Sequence, residues 1–150
     1  MPTASPSPRR STAPRAEDLP APRCYCGREG CIETYLSGPA LAADHARTTG
    51  ERVTPEQIVS GAASGDPACE ATLARYEERL ARALATIVNV LDPDAIVLGG
   101  GLSRLERLYA NVPGLWGAHV FSDEVRTRLV PPQHGDSSGV RGAAWLWGGG

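Results

Sequence analysis

The segment between Asp66 and Leu91 constrains the fold more than any other part of the chain. Its apolar side chains recur at steps of three and four residues, which predicts one long amphipathic helix. Those side chains are Leu73, Tyr76, Leu80, Ala83, Leu84, Ile87, Val88 and Leu91. Pro67 suits a first helical position, and the residue before Pro93 avoids the helical region, so both ends are marked. Other elements must cover the apolar face of such a helix, which indicates a helix-rich fold.

Two shorter helices are predicted before the long one. The segment "SGPALAADHART", residues 37–48, has Pro39 near its first turn. The segment "TPEQIVSGAASG", residues 54–65, begins with Thr54 as its N-cap, and Gln57 completes a capping box.

Strands appear only after the long helix. Residues 95–98 form a short, fully apolar run between turn residues, which is typical of a buried strand. Residues 102–116 predict a helix with a capping box from Ser103 to Glu106. The Pro-Gly pair at residues 113–114 is expected to interrupt or kink that helix.

The end of the chain supplies a weaker strand and a last helix. The segment "VRTRLVPP", residues 125–132, predicts a weak strand, with Arg126 and Arg128 on one face and Val125, Thr127 and Leu129 on the other. The segment "HGDSSGVRGAAWLW", residues 134–147, reads as a polar turn and a helix. The element order indicates an α/β protein whose sheet is incomplete.

Composition excludes several functional classes. The 150 residues carry a net charge of −2, so no basic field predicts binding to nucleic acid or to an anionic membrane. No apolar run approaches the ~20 residues needed to span a bilayer, and no secretory signal is recognisable. These features predict a cytoplasmic protein, where clustered cysteines are more often metal ligands or catalytic groups than disulfides.

The first 23 residues differ in amino-acid composition from the rest of the chain. Pro, Ser, Thr and Arg dominate residues 1–23, which hold one Met and one Leu. Such a composition cannot build a core and predicts a disordered or loosely draped segment. A linker, or a foreign or misread start, would account for it.

The most specific chemical signal is the stretch "CYCGREGCIE", residues 24–33. It holds three of the four cysteines, Cys24, Cys26 and Cys31, with glycines between them. Thiolates two residues apart converge on one metal only where the backbone turns sharply, which glycine permits. Thiolates favour zinc, which is usually four-coordinate in structural sites. Three reduced cysteines in a loop remain the alternative.

No fourth ligand is evident from spacing. His45, His119 and His134 lie far from the cluster in sequence, and each is interpreted as a solvated or packed histidine. Cys69 falls on the long helix and is predicted to be a core residue.

Two further positions suit ligand binding. Glu33, two residues after the last clustered cysteine, could accept hydrogen bonds from a polyol, or be a solvated first-turn glutamate. The turn Gly99, Gly100 and Gly101 joins a strand to a helix, where exposed N–H groups favour anions. A tight structural turn is the alternative, since the GxGxxG spacing is absent.

A serine hydrolase site is disfavoured. His134, Asp136 and Ser137 lie together in the sequence, but triad members meet in space and the G-x-S-x-G elbow is absent. Capping of the last helix is the preferred role for Asp136 and Ser137.

Three stretches together resemble one family. "CYCGREGCIETYLSGP" resembles the zinc motif of the ROK family of bacterial sugar kinases and repressors, and "LDPDAIVLGGGLS" resembles its C-terminal nucleotide-side strand and turn. "HGDSSGVRGAAWLW" is similar to the C-terminus of ROK fructokinases. The resemblance implies the C-terminal domain portion of an actin-like ATPase (ribonuclease H-like) fold. Residues 24–150 would be a partial kinase domain, with its nucleotide side at residues 92–148.

The resemblance also implies a chemistry. The family transfers the γ-phosphate of Mg-ATP to a hexose, here most simply fructose. It implies zinc on Cys24, Cys26 and Cys31, a sugar contact from Glu33, and adenosine beside Gly99, Gly100 and Gly101. Relatives are often dimers, so a homodimer is a further expectation.

Parts of the family pattern lack a counterpart in the sequence. The phosphate loop and the catalytic Asp precede the zinc motif in the family, and the position of its zinc-binding His falls on Ala4. We therefore expect a fragment of a hexose kinase that is inactive alone and binds zinc weakly. The alternatives are a fragment of a ROK repressor and a free-standing zinc module.

Overall fold

The computed structural model describes residues 16–133 of the chain. The chain divides into two compact units, a first and a second, with the boundary between Thr72 and Leu73. The predicted last helix, and with it the group His134, Asp136 and Ser137, lies outside the described residues.

The first unit begins with structure upstream of the cysteine stretch. A 3-10 turn spans Ala16–Asp18, and Arg23 forms an antiparallel bridge with Glu29. The hydroxyl of buried Tyr35 donates to the carbonyl of Asp18 at 3.2 Å. Residues 16–23 are therefore structured, although the composition predicted a loose segment up to residue 23.

Three helices follow, each close to its predicted position. A 3-10 helix, Ile32–Thr34, leads into α1 (Gly38–Thr49). Next come α2 (Pro55–Ala63) and α3 (Pro67–Leu91), which begins in the first unit and continues into the second.

Side-chain caps explain where these helices begin. Ser37 Oγ accepts from the N–H of Ala40 ahead of α1. The predicted capping box of α2 is confirmed, with the Thr54 N–H donating to Gln57 Oε1 at 2.8 Å and the Gln57 N–H donating to Thr54 Oγ1. Asp66 Oδ1 accepts from two backbone N–H groups of the first turn of α3. Each cap satisfies donors that the helix itself leaves unpaired.

The core of the first unit lies where α1 contacts α2. Leu41 and Ile58 are almost completely buried, and Cys69 is 6% exposed, which confirms its prediction as a core residue. A Cβ added to Gly61 of α2 would lie 2.7 Å from Cys69 Sγ and 3.3 Å from Cys69 Cβ. Glycine at position 61 therefore lets α2 and α3 approach closely.

The close approach at Gly61 gives a testable coupling. Alanine in a helix interior is favoured over glycine by about 1 kcal/mol, but overpacking a core costs about 1–3 kcal/mol. In urea unfolding, we expect Gly61→Ala to destabilise the parent chain. The same substitution should stabilise a chain that already carries Cys69→Ala. Gly114→Ala, at a helical glycine with no atom within 4 Å of the added Cβ, is the matched control and is expected to stabilise. Additive effects of the Gly61 and Cys69 changes would refute the contact.

The second unit holds a two-stranded parallel sheet and α4. Strand β1 (Ala95–Val97) pairs with β2 (Arg128–Val130), with Ile96 opposite Leu129. α4 (Glu106–Trp116) contacts β2. The buried side chains of this unit include Leu73, Tyr76, Leu80, Ala81, Val88, Leu108, Val112, Trp116 and Leu129. The two faces predicted for β2 are confirmed, since Thr127 and Leu129 are buried while both arginines are exposed.

The burial predicted for β1 is wrong. Ala95 is exposed, Ile96 is half-buried and Val97 is 59% exposed. Within residues 16–133 the sheet has two strands, so β1 has a single partner strand and too little structure to cover it. Ile87 and Leu91, predicted on the apolar face of α3, are also exposed, and both lie near the end of that helix.

The capping box predicted for α4 is also wrong. Ser103 lies in a separate 3-10 helix, Gly101–Arg104, and its hydroxyl donates to the carbonyl of Gly100 instead of capping α4. Leu105 occupies the N-cap position without a side-chain hydrogen bond. The predicted Pro-Gly pair does not interrupt the helix, which continues through Pro113 with the loss of a backbone N–H donor.

Candidate functional site

The cysteine stretch folds as a tight double turn. The N–H of Cys24 donates to the carbonyl of Arg28 at 2.8 Å, and the N–H of Gly27 donates back to the carbonyl of Cys24 at 3.0 Å. Gly27 and Gly30 have φ values of 82° and 68°, which L side chains rarely adopt. The glycines between the cysteines therefore supply the sharp turns that the spacing required.

These turns bring the three sulfur atoms together. The Sγ atoms of Cys24, Cys26 and Cys31 all lie within 4.8 Å of one another, and those of Cys26 and Cys31 are 3.5 Å apart. Tetrahedral zinc with Zn–S bonds of about 2.3 Å places its sulfur ligands roughly 3.8 Å apart. The donor set therefore fits a zinc ion held by three thiolates, with its fourth position left to another ligand.

The thiols differ in acidity. A hydrogen bond from the backbone N–H of Arg28, followed by those from the neighbouring thiols, lowers the pKa of Cys26. The hydrogen bond to Cys26, followed by desolvation, raises the pKa of Cys31 to about 11. The Cys26 thiol therefore ionises more readily than the Cys31 thiol, and Cys31 retains its proton at neutral pH when no metal is bound.

Glu33 is tied to the cysteine turn through its backbone. Both the N–H and the hydroxyl of Thr34 donate to the carbonyl of Cys31, and Ser37 Oγ donates to the carbonyl of Glu33 at 2.8 Å. Ser37 also caps α1. The peptide at Glu33 is thus held between the cluster and a helix, while its side chain is exposed.

The described histidines have partners away from the cluster. His45 is 2% exposed, and its Nδ1 lies 3.0 Å from Thr72 Oγ1. His119 Nε2 lies 3.0 Å from Glu78 Oε1. Both are packed residues, as predicted, and His134 lies outside the described residues.

The glycine turn belongs to the second unit. Gly100 has a φ of 86°, and its carbonyl accepts from the N–H and the hydroxyl of Ser103. A Cβ on Gly99, Gly100 or Gly101 would meet no atom within 4 Å. The backbone of the turn is therefore open to a ligand.

A cavity of about 360 Å³ lies next to the helical turn that follows these glycines. Its lining residues are Ser103, Arg104, Glu106, Tyr109, Pro131 and Pro132. Tyr109 donates to the carbonyl of Ser103 at 2.6 Å, and burial raises the pKa of its phenol. Sequence reasoning missed this cavity, because its walls come from the 3-10 helix Gly101–Arg104, from α4 and from the residues after β2, which no motif connects.

Comparison with known proteins decides the family. The model of the ROK family matches residues 15–149 of the chain. The chain belongs to the ROK family. It is 38% identical over 130 residues to the N-acetyl-D-glucosamine kinase of Aliivibrio fischeri, covering 87% of this chain and 43% of that kinase. It therefore spans less than half the length of this curated relative.

Solved ROK structures confirm the fold. A ROK family glucokinase from Streptomyces griseus, in complex with glucose and AMPPNP, superposes with a TM-score of 0.72 at 27% identity, over 84% of this chain and 47% of that one. A ROK family transcriptional regulator homologous to the E. coli MLC protein gives 0.63 at 25% identity, over 76% of this chain and 32% of that one. The predicted class, part of the actin-like ATPase fold, is thereby confirmed.

Bilayer-spanning helices are not found in the described part of this ROK chain. Between residues 16 and 133, none of the helices combines sufficient length with sufficient apolar character.

Proposed function

We propose that this chain forms the cysteine-bearing and nucleotide-side part of an ATP-dependent sugar kinase acting on N-acetylglucosamine or glucose. The observation that carries the proposal is the cysteine turn, which gathers three sulfur atoms within 4.8 Å and joins them to the backbone of Glu33. That arrangement suits a clamp that fixes a carboxylate against a sugar hydroxyl.

The cysteine turn, Glu33 and the glycine turn each have a proposed role set by their own chemistry. Zinc on Cys24, Cys26 and Cys31 would cross-link the two turns of the loop. Glu33 accepts hydrogen bonds from sugar hydroxyls, because an exposed carboxylate on a fixed backbone is a directional acceptor. The open turn from Gly99 to Gly101 and the cavity beside it would take the adenosine part of Mg-ATP, since the cavity volume lies within the usual range for ligand sites.

The relatives favour aldohexoses over fructose. The 38% identical relative is named an N-acetyl-D-glucosamine kinase, and the S. griseus structure is a glucokinase that contains glucose. The expectation of fructose rested on the C-terminal stretch alone and gains no support from these names. A repressor is disfavoured because the kinase superposes better than the regulator, at 0.72 against 0.63.

A chimera tests the proposal. The aligned region of the A. fischeri kinase is replaced by the matching 130 residues of this chain, and ATP-coupled turnover is measured on N-acetylglucosamine, glucose and fructose. We expect turnover on N-acetylglucosamine or glucose. A folded chimera that phosphorylates neither sugar, beside an active parent, would refute the function, and a preference for fructose would restore the earlier expectation. The inactivity of the 150-residue chain alone stays a prediction, tested in the same assay.

Glu33 provides the sharpest variant in that chimera. Losing a hydrogen bond to a charged group costs about 1.5–3 kcal/mol, so Glu33→Gln is expected to raise KM for the sugar roughly 10- to 100-fold. Glu29→Gln, the same change at an exposed glutamate of the same loop, is the control and is expected to leave KM unchanged. Equal effects of the two substitutions would show that Glu33 does not contact the sugar.

A further inference from the structure

The sulfur atoms of Cys26 and Cys31 are close enough to bond with little rearrangement. They lie 3.5 Å apart, and a disulfide has an S–S length of about 2.05 Å, so a shift of about 1.5 Å closes the gap. Gly27, Arg28, Glu29 and Gly30 lie between the two cysteines, and the glycines at both ends of this segment have positive φ. A sharply turned backbone of this kind already directs the two side chains toward each other.

Cys26 is the partner with room to move. Its side chain is exposed at the tip of the turn, and the neighbouring Gly27 has no atom within 4 Å of a built Cβ. Cys31 is half-buried, and its carbonyl accepts two hydrogen bonds from Thr34, which hold it in place. Movement of Cys26 alone therefore brings the sulfurs together.

The other pairings are less suitable. The backbone of Cys24 is fixed by two hydrogen bonds. Its N–H donates to the carbonyl of Arg28, and its carbonyl accepts from the N–H of Gly27. A bond from Cys24 to Cys26 would close a ring over a single intervening residue, far from the usual disulfide geometry. Cys69 is buried against Gly61 in the core of the first unit.

We propose that Cys26 and Cys31 form an intramolecular disulfide when the metal-free chain meets a peroxide, and that Cys24 remains a thiol. The Cys26 thiolate attacks a peroxide oxygen, giving a sulfenic acid and releasing one water after protonation. The Cys31 sulfur then attacks that sulfur, and its proton passes to the departing hydroxide, which leaves as the second water. Two thiols thus lose two electrons and two protons to the peroxide. The reaction depends on the sulfur positions alone and not on kinase activity.

The disulfide and a bound zinc exclude each other. Both sulfurs of the disulfide belong to the three-thiolate group, so one thiolate, that of Cys24, would remain after oxidation. Zinc needs thiolate ligands, and oxidation therefore removes the site until a dithiol reduces the bond. The cysteine turn thus holds either a metal or a disulfide.

Peptide mapping of the full chain tests the pairing directly. The chelator-treated protein is exposed to hydrogen peroxide, blocked with N-ethylmaleimide at acidic pH and digested with trypsin. Cleavage after arginine separates the cysteines into three peptides. Peptide 24–28 carries Cys24 and Cys26, peptide 29–47 carries Cys31, and peptide 53–75 carries Cys69. We expect a cross-link between peptides 24–28 and 29–47 that is lost on reduction, with fragmentation placing maleimide on Cys24.

Matched variants and a zinc arm complete the test. Cys24→Ser and Cys69→Ser should retain the cross-link, and Cys26→Ser should abolish it. Preloading with zinc should slow its formation, and an oxidised sample should bind no zinc until reduced. A link through Cys24, a bond within peptide 24–28, or full thiol recovery after peroxide would overturn the proposal. A chain that forms the cross-link but never binds zinc would overturn the zinc site and leave the disulfide standing.

Discussion

Glu77→Ala is expected to lower the free energy of unfolding of the second unit by about 2–3 kcal/mol. Glu77 lies on α3, and its side chain is 5% exposed. Its carboxylate accepts from Arg107 Nε and Nη2 and, at 3.1 Å, from the amide of Asn111, both residues of α4. The bidentate, charge-assisted ion pair between Glu77 and Arg107 therefore holds α4 against α3.

The size of the loss follows from burial. Removing one partner of a buried ion pair costs about 3–5 kcal/mol, because the remaining charge stays desolvated without its partner. The Arg107 side chain is 25% exposed and can regain part of its hydration, which places the expected loss below that range. Urea unfolding followed by circular dichroism gives the measurement.

An exposed pair in the same unit provides the control. Glu124 binds Arg126 at 2.9 Å, but both side chains are largely exposed, so Glu124→Ala is expected to leave the urea midpoint unchanged. Combining Glu77→Leu with Arg107→Met should recover much of the loss, because apolar replacements of a buried pair leave no uncompensated charge. Equal midpoints for Glu77→Ala and Glu124→Ala would show that the buried pair does not stabilise the unit.

Local features of this chain were predictable where the cause is local. The capping box of α2, the start of α3 at Pro67 and the turns at Gly27 and Gly30 depend on neighbouring residues, and each matches the structure. The convergence of three sulfurs also follows from local turns. Composition, spacing and the special conformations of glycine and proline therefore suffice for these elements.

Features that depend on distant partners were harder to predict. The apolar run of β1 would be buried in a wider sheet, but the described part of the chain supplies one neighbouring strand. Ser103 has the spacing of a cap for α4, yet the turn at Gly100 offers its hydroxyl a nearer acceptor. The cavity beside Tyr109 requires residues from α4 and from the segment after β2 to meet, which no sequence pattern specifies.

Cys31→Ser is expected to weaken zinc binding roughly 10²- to 10³-fold. Structural zinc binds with a free energy of roughly 10–16 kcal/mol, and each of its four ligands is taken to contribute about a quarter of it. Competition with a chromophoric chelator under reducing conditions gives the dissociation constants. Cys69→Ser is the matched control, since that thiol is buried in the core near Gly61 and lies outside the three-sulfur group. It should retain the affinity of the parent chain.

The pH dependence of zinc binding separates a lost ligand from a damaged fold. The pKa of Cys31 is raised to about 11, so this thiol is protonated at neutral pH and zinc must displace its proton. The affinity of the parent chain should therefore rise with pH between 6 and 8, and Cys31→Ser should show a shallower rise because one fewer proton is released. Parent-like affinity and slope in the variant would exclude Cys31 as a ligand. A weakened affinity with an unchanged slope would instead point to distortion of the turn, because the number of displaced protons reports the thiols that bind the metal.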